Sequence, residues 1–85
     1  MDKIDSAMVY FKRSASIEKY IGNIAGVAAS YNNIADVLMS SGETDDSKIY
    51  IDSAYYYANN SKATTDIETA LINYSMYHEQ KNQRK

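Results

Sequence analysis

A lone histidine, a pair of adjacent carboxylates, a run of tyrosines and three placed asparagines are the groups in this chain that could do chemistry. His78 is the only histidine among the 85 residues. A metal site built on it would need further ligands at helical spacing, and Glu68 and Glu79 are a poor set for that. The chain contains no cysteine, so it has no disulfide and no thiolate metal ligand. One histidine gives no basis for a Ser-His-Asp relay, and phosphate-loop, dinucleotide-binding and zinc motifs are missing. Asp45 and Asp46 serve more simply as charges at the positive end of a helix than as an acid–base pair. The expectation is therefore a protein without enzyme activity, metal or cofactor.

The tyrosines and asparagines are more informative. Nine tyrosines stand against one phenylalanine and no tryptophan. A tyrosine buries a large ring while its hydroxyl keeps a polar partner, which suits shallow layers of packed helices. Tyr55-Tyr56-Tyr57 point in different directions around a helix and cannot form one patch. Tyr57 is expected to face the core. Asn32, Asn33 and Asn73 carry amides that both donate and accept, so each can hold a peptide backbone whatever the peptide's sequence. Asn59-Asn60-Ser61 and Asn73-Tyr74-Ser75 fit the glycosylation acceptor pattern, but so short a match arises easily by chance.

Charge narrows the partners. Charged residues make up 24% of the chain and the formal net charge is −2, which argues against a nucleic-acid partner. The one basic cluster, Lys81, Arg84 and Lys85, reads as a helix terminus in favourable contact with its dipole. No apolar run approaches the ~20 residues that span a bilayer. Met1-Asp2-Lys3-Ile4-Asp5 lacks the basic and apolar regions of a secretory signal. A soluble, cytoplasmic protein that does not bind membranes is expected; a segment of a larger secreted or membrane-anchored protein would read the same.

The elements that must position these groups are helices. There is no proline and little glycine, so breaks are few. The first predicted helix covers 3–20, with Ile4, Ala7, Met8, Phe11, Ser14, Ala15 and Ile17 along one face. Gly22 is the expected left-handed residue after it. The second covers 24–41 with Val27, Tyr31, Ile34, Ala35 and Leu38, and Gly42 closes it. Gly26 falls in its first turn. The third covers 45–59, capped by Thr44 or Asp45, with Ser47, Tyr50, Ile51, Ala54, Tyr57 and Ala58 inward and Asn59-Asn60-Ser61 as its stop. The fourth covers 65–81. It opens on the capping-box spacing Thr65 to Glu68 and continues through Leu71, Tyr74, Ser75 and His78. Short connections make sequential helices antiparallel neighbours.

A shift of 40 residues aligns the chain with itself: Asp5 with Asp45, Tyr10 with Tyr50, Asn33 with Asn73. Sizes follow the same shift. Ala7 falls on Ser47, Phe11 on Ile51, Ser14 on Ala54, Ile17 on Tyr57, Tyr31 on Leu71, Ile34 on Tyr74 and Ala35 on Ser75. Small residues let helix backbones approach, and large ones beside them fill the groove. One hairpin cannot bury its own apolar face, so stacked copies share a core.

Tyr31, Ile34, Ala35, Leu38, Gly42, Ser47, Ile51 and Ala54 resemble, in order, the positions of one tetratricopeptide repeat. The family's usual proline after the second helix is absent, with Asn59 near its place. The 40-residue shift exceeds the common period of about 34. It is similar to the longer-period variants of kinesin light chains, cell-polarity adaptors and bacterial sensors and regulators. The resemblance implies an all-α fold of antiparallel hairpins stacked as a right-handed superhelix of four helices. One domain would span 1–85: a second-type helix at 3–20, a complete repeat at 24–59 and a first-type helix at 65–81. It implies a protein-interaction module that holds a peptide or partner protein on its concave face, inside a larger sensor, regulator or scaffold protein. That face would be Ala29, Asn32, Asn33, Asp36, Met39 and Ser40 of the second helix with Thr69, Ile72, Asn73 and Met76 of the fourth. Asn33 and Asn73 occupy equivalent places, as in members that clamp extended peptides. The cationic clamp of chaperone-binding members is not matched, because Asp36 and Met76 stand there. The alternative is a structural spacer or a segment that associates with copies of itself through its unpaired end helices.

Overall fold

Among the described residues three left-handed positions divide the chain into helices. Gly22, Gly42 and Lys62 have φ of +79°, +85° and +57°, one after every 20 residues. At each the backbone closes the preceding helix in the same way. Gly22 N–H donates to Lys19 C=O and Asn23 N–H to Glu18 C=O; Gly42 and Glu43 donate to Met39 and Leu38, and Lys62 and Ala63 to Asn59 and Ala58. This paired bonding satisfies carbonyls that a helix end otherwise leaves open. The backbone therefore repeats more strictly than the side chains do.

The computed structural model describes residues 3–83, with side chains from Asp5. The chain is all-α: α1 Lys3–Ile21, α2 Ile24–Ser40, α3 Thr44–Ser61 and α4 Thr64–Gln83, with no strand among the described residues. α1 packs on α2, α2 on α3, α3 on α4, and α4 returns to touch α2. Among the described residues α1 does not pack on α4, so the helices do not close into a bundle. They form an open slab of 41 × 32 × 16 Å.

The α2–α3 hairpin carries the core. Val27, Ala28, Ile34 and Ala35 of α2 and Ser47, Ile51, Ala54 and Ala58 of α3 are fully buried. Alanine and serine at these positions allow close backbone approach, and Ile34 and Ile51 fill the space beside it. The Ser47 hydroxyl donates to the Thr44 carbonyl at 2.6 Å, so its burial leaves no unmet hydrogen bond. Met39 and Ile51 then receive Tyr50 of α3 and Tyr74 and Tyr77 of α4.

Several local expectations change. α1 extends to Ile21, α2 stops at Ser40, α3 runs from Thr44 to Ser61 and α4 from Thr64 to Gln83. Asn59-Asn60-Ser61 does not stop α3; the left-handed turn at Lys62 does. Neither Thr44 nor Asp45 caps α3. Glu43 holds that position without a side-chain bond, while Thr44 is buried and its hydroxyl donates to Gln80 Oε1 of α4. The capping-box spacing at Thr65 is not used as a cap either. Ile67 N–H bonds to Ala63 C=O, which makes Ala63 the boundary and puts Thr65 inside the first turn. Asn23 does cap α2, accepting from Gly26 N–H at 3.2 Å. Gly26 also leaves room for the Glu18 carboxylate of α1, which fills the space where a Cβ would stand.

Of the stripe expected on α4, Tyr74 packs against the core but the other three residues do not. Ala70 and Asn73 are buried, whereas Leu71, Ser75 and His78 are exposed. Ile17 of the α1 stripe is also exposed, and the Ile4 side chain lies outside the described residues.

Lys62 is a lysine in a conformation that favours glycine. Left-handed backbone costs an L-residue about 1–2 kcal/mol, part of which glycine gives back through its freer unfolded chain. Lys62→Gly is therefore expected to stabilise the protein by about 0.5–1 kcal/mol, read as a melting temperature a few degrees higher. A lower melting temperature would contradict the assignment of this turn.

Candidate functional site

The pairing of α2 with α4 rests on two buried asparagines. Asn32 is 3% and Asn73 4% exposed. Asn73 Nδ2 donates to Asn32 Oδ1 at 3.1 Å, and Asn32 Nδ2 donates to the Asp66 carbonyl at 3.2 Å. A carbonyl can only accept, so the side of Asn32 facing Asp66 must be its NH2 group. That fixes Asn32 Oδ1 toward Asn73. The two amides form a polar seam between helices that approach near their midpoints.

The middle of α4 is also braced against α3. Tyr74 donates its hydroxyl to Asp52, and Lys48 lies 3.0 Å from the same carboxylate. Burial pushes the Tyr74 phenol well above its ordinary value, and the neighbouring Asp52 charge adds to this. Burial raises Asp52, but the Tyr74 hydroxyl and the Lys48 ammonium outweigh it and hold the carboxyl below its usual value. Tyr55 meets Tyr74 edge-on, and Tyr57 packs beside Tyr31 with the Lys19 ammonium 5.2 Å over Tyr31. Hydrogen bonding to Tyr31 keeps that ammonium above its usual value, despite an opposing effect of burial. The tyrosine run thus splits: Tyr57 serves α2, Tyr55 serves α4, and Tyr56 faces solvent at 62% exposure. Lys81 pairs with Asp45, while Arg84 and Lys85 lie outside the described residues.

The seam decides which expected contact residues are accessible. α2 and α4 run parallel, because each is antiparallel to α3, and each residue advances about 100° around a helix. From Asn32, the next residue along α2 turns toward one side of the slab. From Asn73, the residue before it on α4 turns toward that same side. Ala29, Asn33, Asp36 and Ser40 therefore share one face with Thr69, Ile72 and Met76. Asn33, Asp36, Ser40, Ile72 and Met76 are exposed, and Ala29 and Thr69 are half-buried. Thr69 turns its hydroxyl back to the Thr65 carbonyl at 3.0 Å.

The remaining three residues of that set lie beneath this face. Asn32 and Asn73 are consumed by each other, and Met39 is 3% exposed inside the core with Ala35 and Ile51. As the chain is folded, none of the three is presented to a ligand. Asn33 and Asn73, equivalent under the 40-residue shift, have unlike surroundings: Asn33 is exposed and Asn73 buried. The bonded pair is offset by 41 residues, one more than the shift that matches the chain to itself.

Among these named residues Asp36 is the charged one, beside Ile72 and Met76 from α4. The face can accept a peptide's donors, offer the Asn33 amide to a backbone and place Ile72 and Met76 against an apolar residue. An open depression of about 490 Å³ lies elsewhere, at the α2–α3 turn, lined by Gly42, Thr44, Gln80 and Gln83. His78 is exposed with its ring edge against Tyr77. Among the described residues no three His, Asp or Glu side chains converge as metal ligands, and no helix is long and apolar enough to cross a membrane. No protein-family model, curated protein or solved structure matches the chain.

Proposed function

We propose that this chain is a non-catalytic, tetratricopeptide-like interaction module that holds a peptide or partner protein along the face shared by α2 and α4. On this reading the α2–α3 hairpin and α4 are successive parts of a right-handed superhelix within a sensor, regulator or scaffold protein. The supporting observation is the grouping of Asn33, Asp36 and Ser40 with Ile72 and Met76 on one exposed side of the Asn32–Asn73 seam. The seam sets the spacing of the two helices, and the side chains above it combine hydrogen-bonding capacity with adaptable apolar surface. Asp36 favours a guest with basic or uncharged side chains and disfavours an acidic one.

The test uses peptides selected from a random-sequence display library against the folded chain. Asn33→Ala is expected to weaken the selected peptides about 5–10-fold, in line with one lost hydrogen bond. Ile72→Glu is expected to weaken them further, with helicity unchanged because both positions are exposed. Selected peptides that bind both variants as tightly as the parent would place the binding surface elsewhere.

A further inference from the structure

The outer faces of α1 and α4 are the two halves of a contact that the chain already makes once inside itself. Tyr50 and Tyr57 of α3 pack against Tyr31 of α2, with ring centroids 6.0 and 5.8 Å away. The 40-residue shift carries Tyr50 to Tyr10 and Tyr57 to Ile17 on α1, and Tyr31 to Leu71 on α4. All three are exposed, at 65%, 53% and 50%. The equivalence belongs to the backbone as well as to the side chains, since the turns after α1 and α3 place a left-handed residue, Gly22 and Lys62, at matching positions and close with the same pattern of bonds. Among the described residues, α3 has packed helices on both sides, α2 and α4, whereas α1 packs on α2 alone.

We propose that the chain associates head to tail with copies of itself: the Leu71 face of α4 on one copy packs against the Tyr10–Ile17 face of α1 on the next. Leu71 takes the place that Tyr31 has inside the chain. Charge points the same way. On α1 the exposed Arg13 stands between Tyr10 and Ile17 at helical spacing, and on α4 the exposed Glu68 stands one turn before Leu71. Unlike helices attract across this contact, and an α1–α1 or α4–α4 pairing brings like charges together. The contact joins two different surfaces, so it propagates into chains or closes into a ring and does not stop at a symmetric dimer. It leaves the α2–α4 face open and does not depend on peptide binding there.

Sedimentation equilibrium of the 85-residue chain from about 5 µM to 1 mM tests the proposal. The expected result is an average mass that rises above 9.6 kDa with concentration. Tyr10→Glu blocks one surface and Leu71→Glu the other, and each variant alone is expected to sediment as a monomer. Mixed together, the two retain one intact surface each and are expected to form a one-to-one complex. Ile17→Glu and Ser75→Arg repeat the two arms at other exposed positions, and far-ultraviolet circular dichroism verifies the fold of all four. A parent chain that stays monomeric throughout overturns the proposal. So does a variant that self-associates like the parent, which would mean that a face pairs with itself, and so does a mixture that stays monomeric.

Discussion

Ile51→Ala is expected to be the most damaging single truncation in the chain. Ile51 is fully buried and lies where α2, α3 and α4 meet, in contact with the cluster of Ala35, Met39, Tyr50, Tyr74 and Tyr77. Removing it deletes apolar contact and leaves a void that helices held by large tyrosines cannot readily close. Such truncations cost about 2–5 kcal/mol. Stability scales as roughly 0.05–0.15 kcal/mol per residue, and a chain this short belongs at the low end because it buries a small fraction of its surface. The loss is then comparable with the whole. Thermal denaturation should show a melting temperature lower by about 10 °C or more, or no cooperative transition. The same truncation at exposed Ile49 should change little. If Ile49→Ala proved as costly as Ile51→Ala, the core would have been assigned to the wrong face of α3.

Asn73→Asp should be nearly as severe at neutral pH and should recover in acid. The Asn73 amide donates to Asn32 Oδ1, and Asn32 cannot turn over without losing its bond to the Asp66 carbonyl. A carboxylate at position 73 sets acceptor against acceptor in a site 4% exposed. An uncompensated buried charge costs about 3–5 kcal/mol. Burial raises the folded pKa of the new carboxyl above its unfolded value of about 3.9. Stability relative to the parent is therefore restored as pH falls below the folded pKa, because the protonated acid can donate to Asn32 Oδ1. It is lost again as pH rises through the folded pKa.

Comparison with the parent at each pH removes the contributions of the native carboxyls. Asp52, held low, contributes stability that is lost as pH falls through its folded pKa. Asp66, raised by burial, contributes in the opposite sense. Urea unfolding of both proteins at pH 7 and at pH 4 measures the difference. A deficit of the same size at both pH values would show that the seam is not what the substitution disturbs.

The amino-acid pattern by itself determined the helical class, the number of helices and two of the three turns. Apolar spacing of three and four placed Val27, Ile34, Ala35, Leu38, Ser47, Ile51 and Ala54 on inward faces, because α2 and α3 bury most of what they can. Gly22 and Gly42 marked their turns because only glycine reaches the left-handed region at no cost. Lys62 was hidden since a lysine gives no such signal, although the 40-residue shift sets it opposite Gly22. The buried face of α4 was not legible. Leu71, Tyr74, Ser75 and His78 form a coherent helical stripe, but α4 packs on one side only. Contact with both α2 and α3 rotates it onto Ala70, Asn73, Tyr74 and Tyr77, so of the stripe only Tyr74 stays inward.

The candidate interaction face divides in the same way. Its residues were named from the resemblance to a tetratricopeptide repeat. Which asparagines are free was decided by tertiary structure alone. Asn32 and Asn33 are chemically identical neighbours, and only the arrival of α4 beside α2 makes one a buried partner of Asn73 and leaves the other in solvent. Thr44 and Gln80 are joined across 36 residues for the same reason. Periodicity records the faces of a helix, because each face repeats within one turn. It carries no record of which distant helix arrives there, because that depends on the packing of the whole chain.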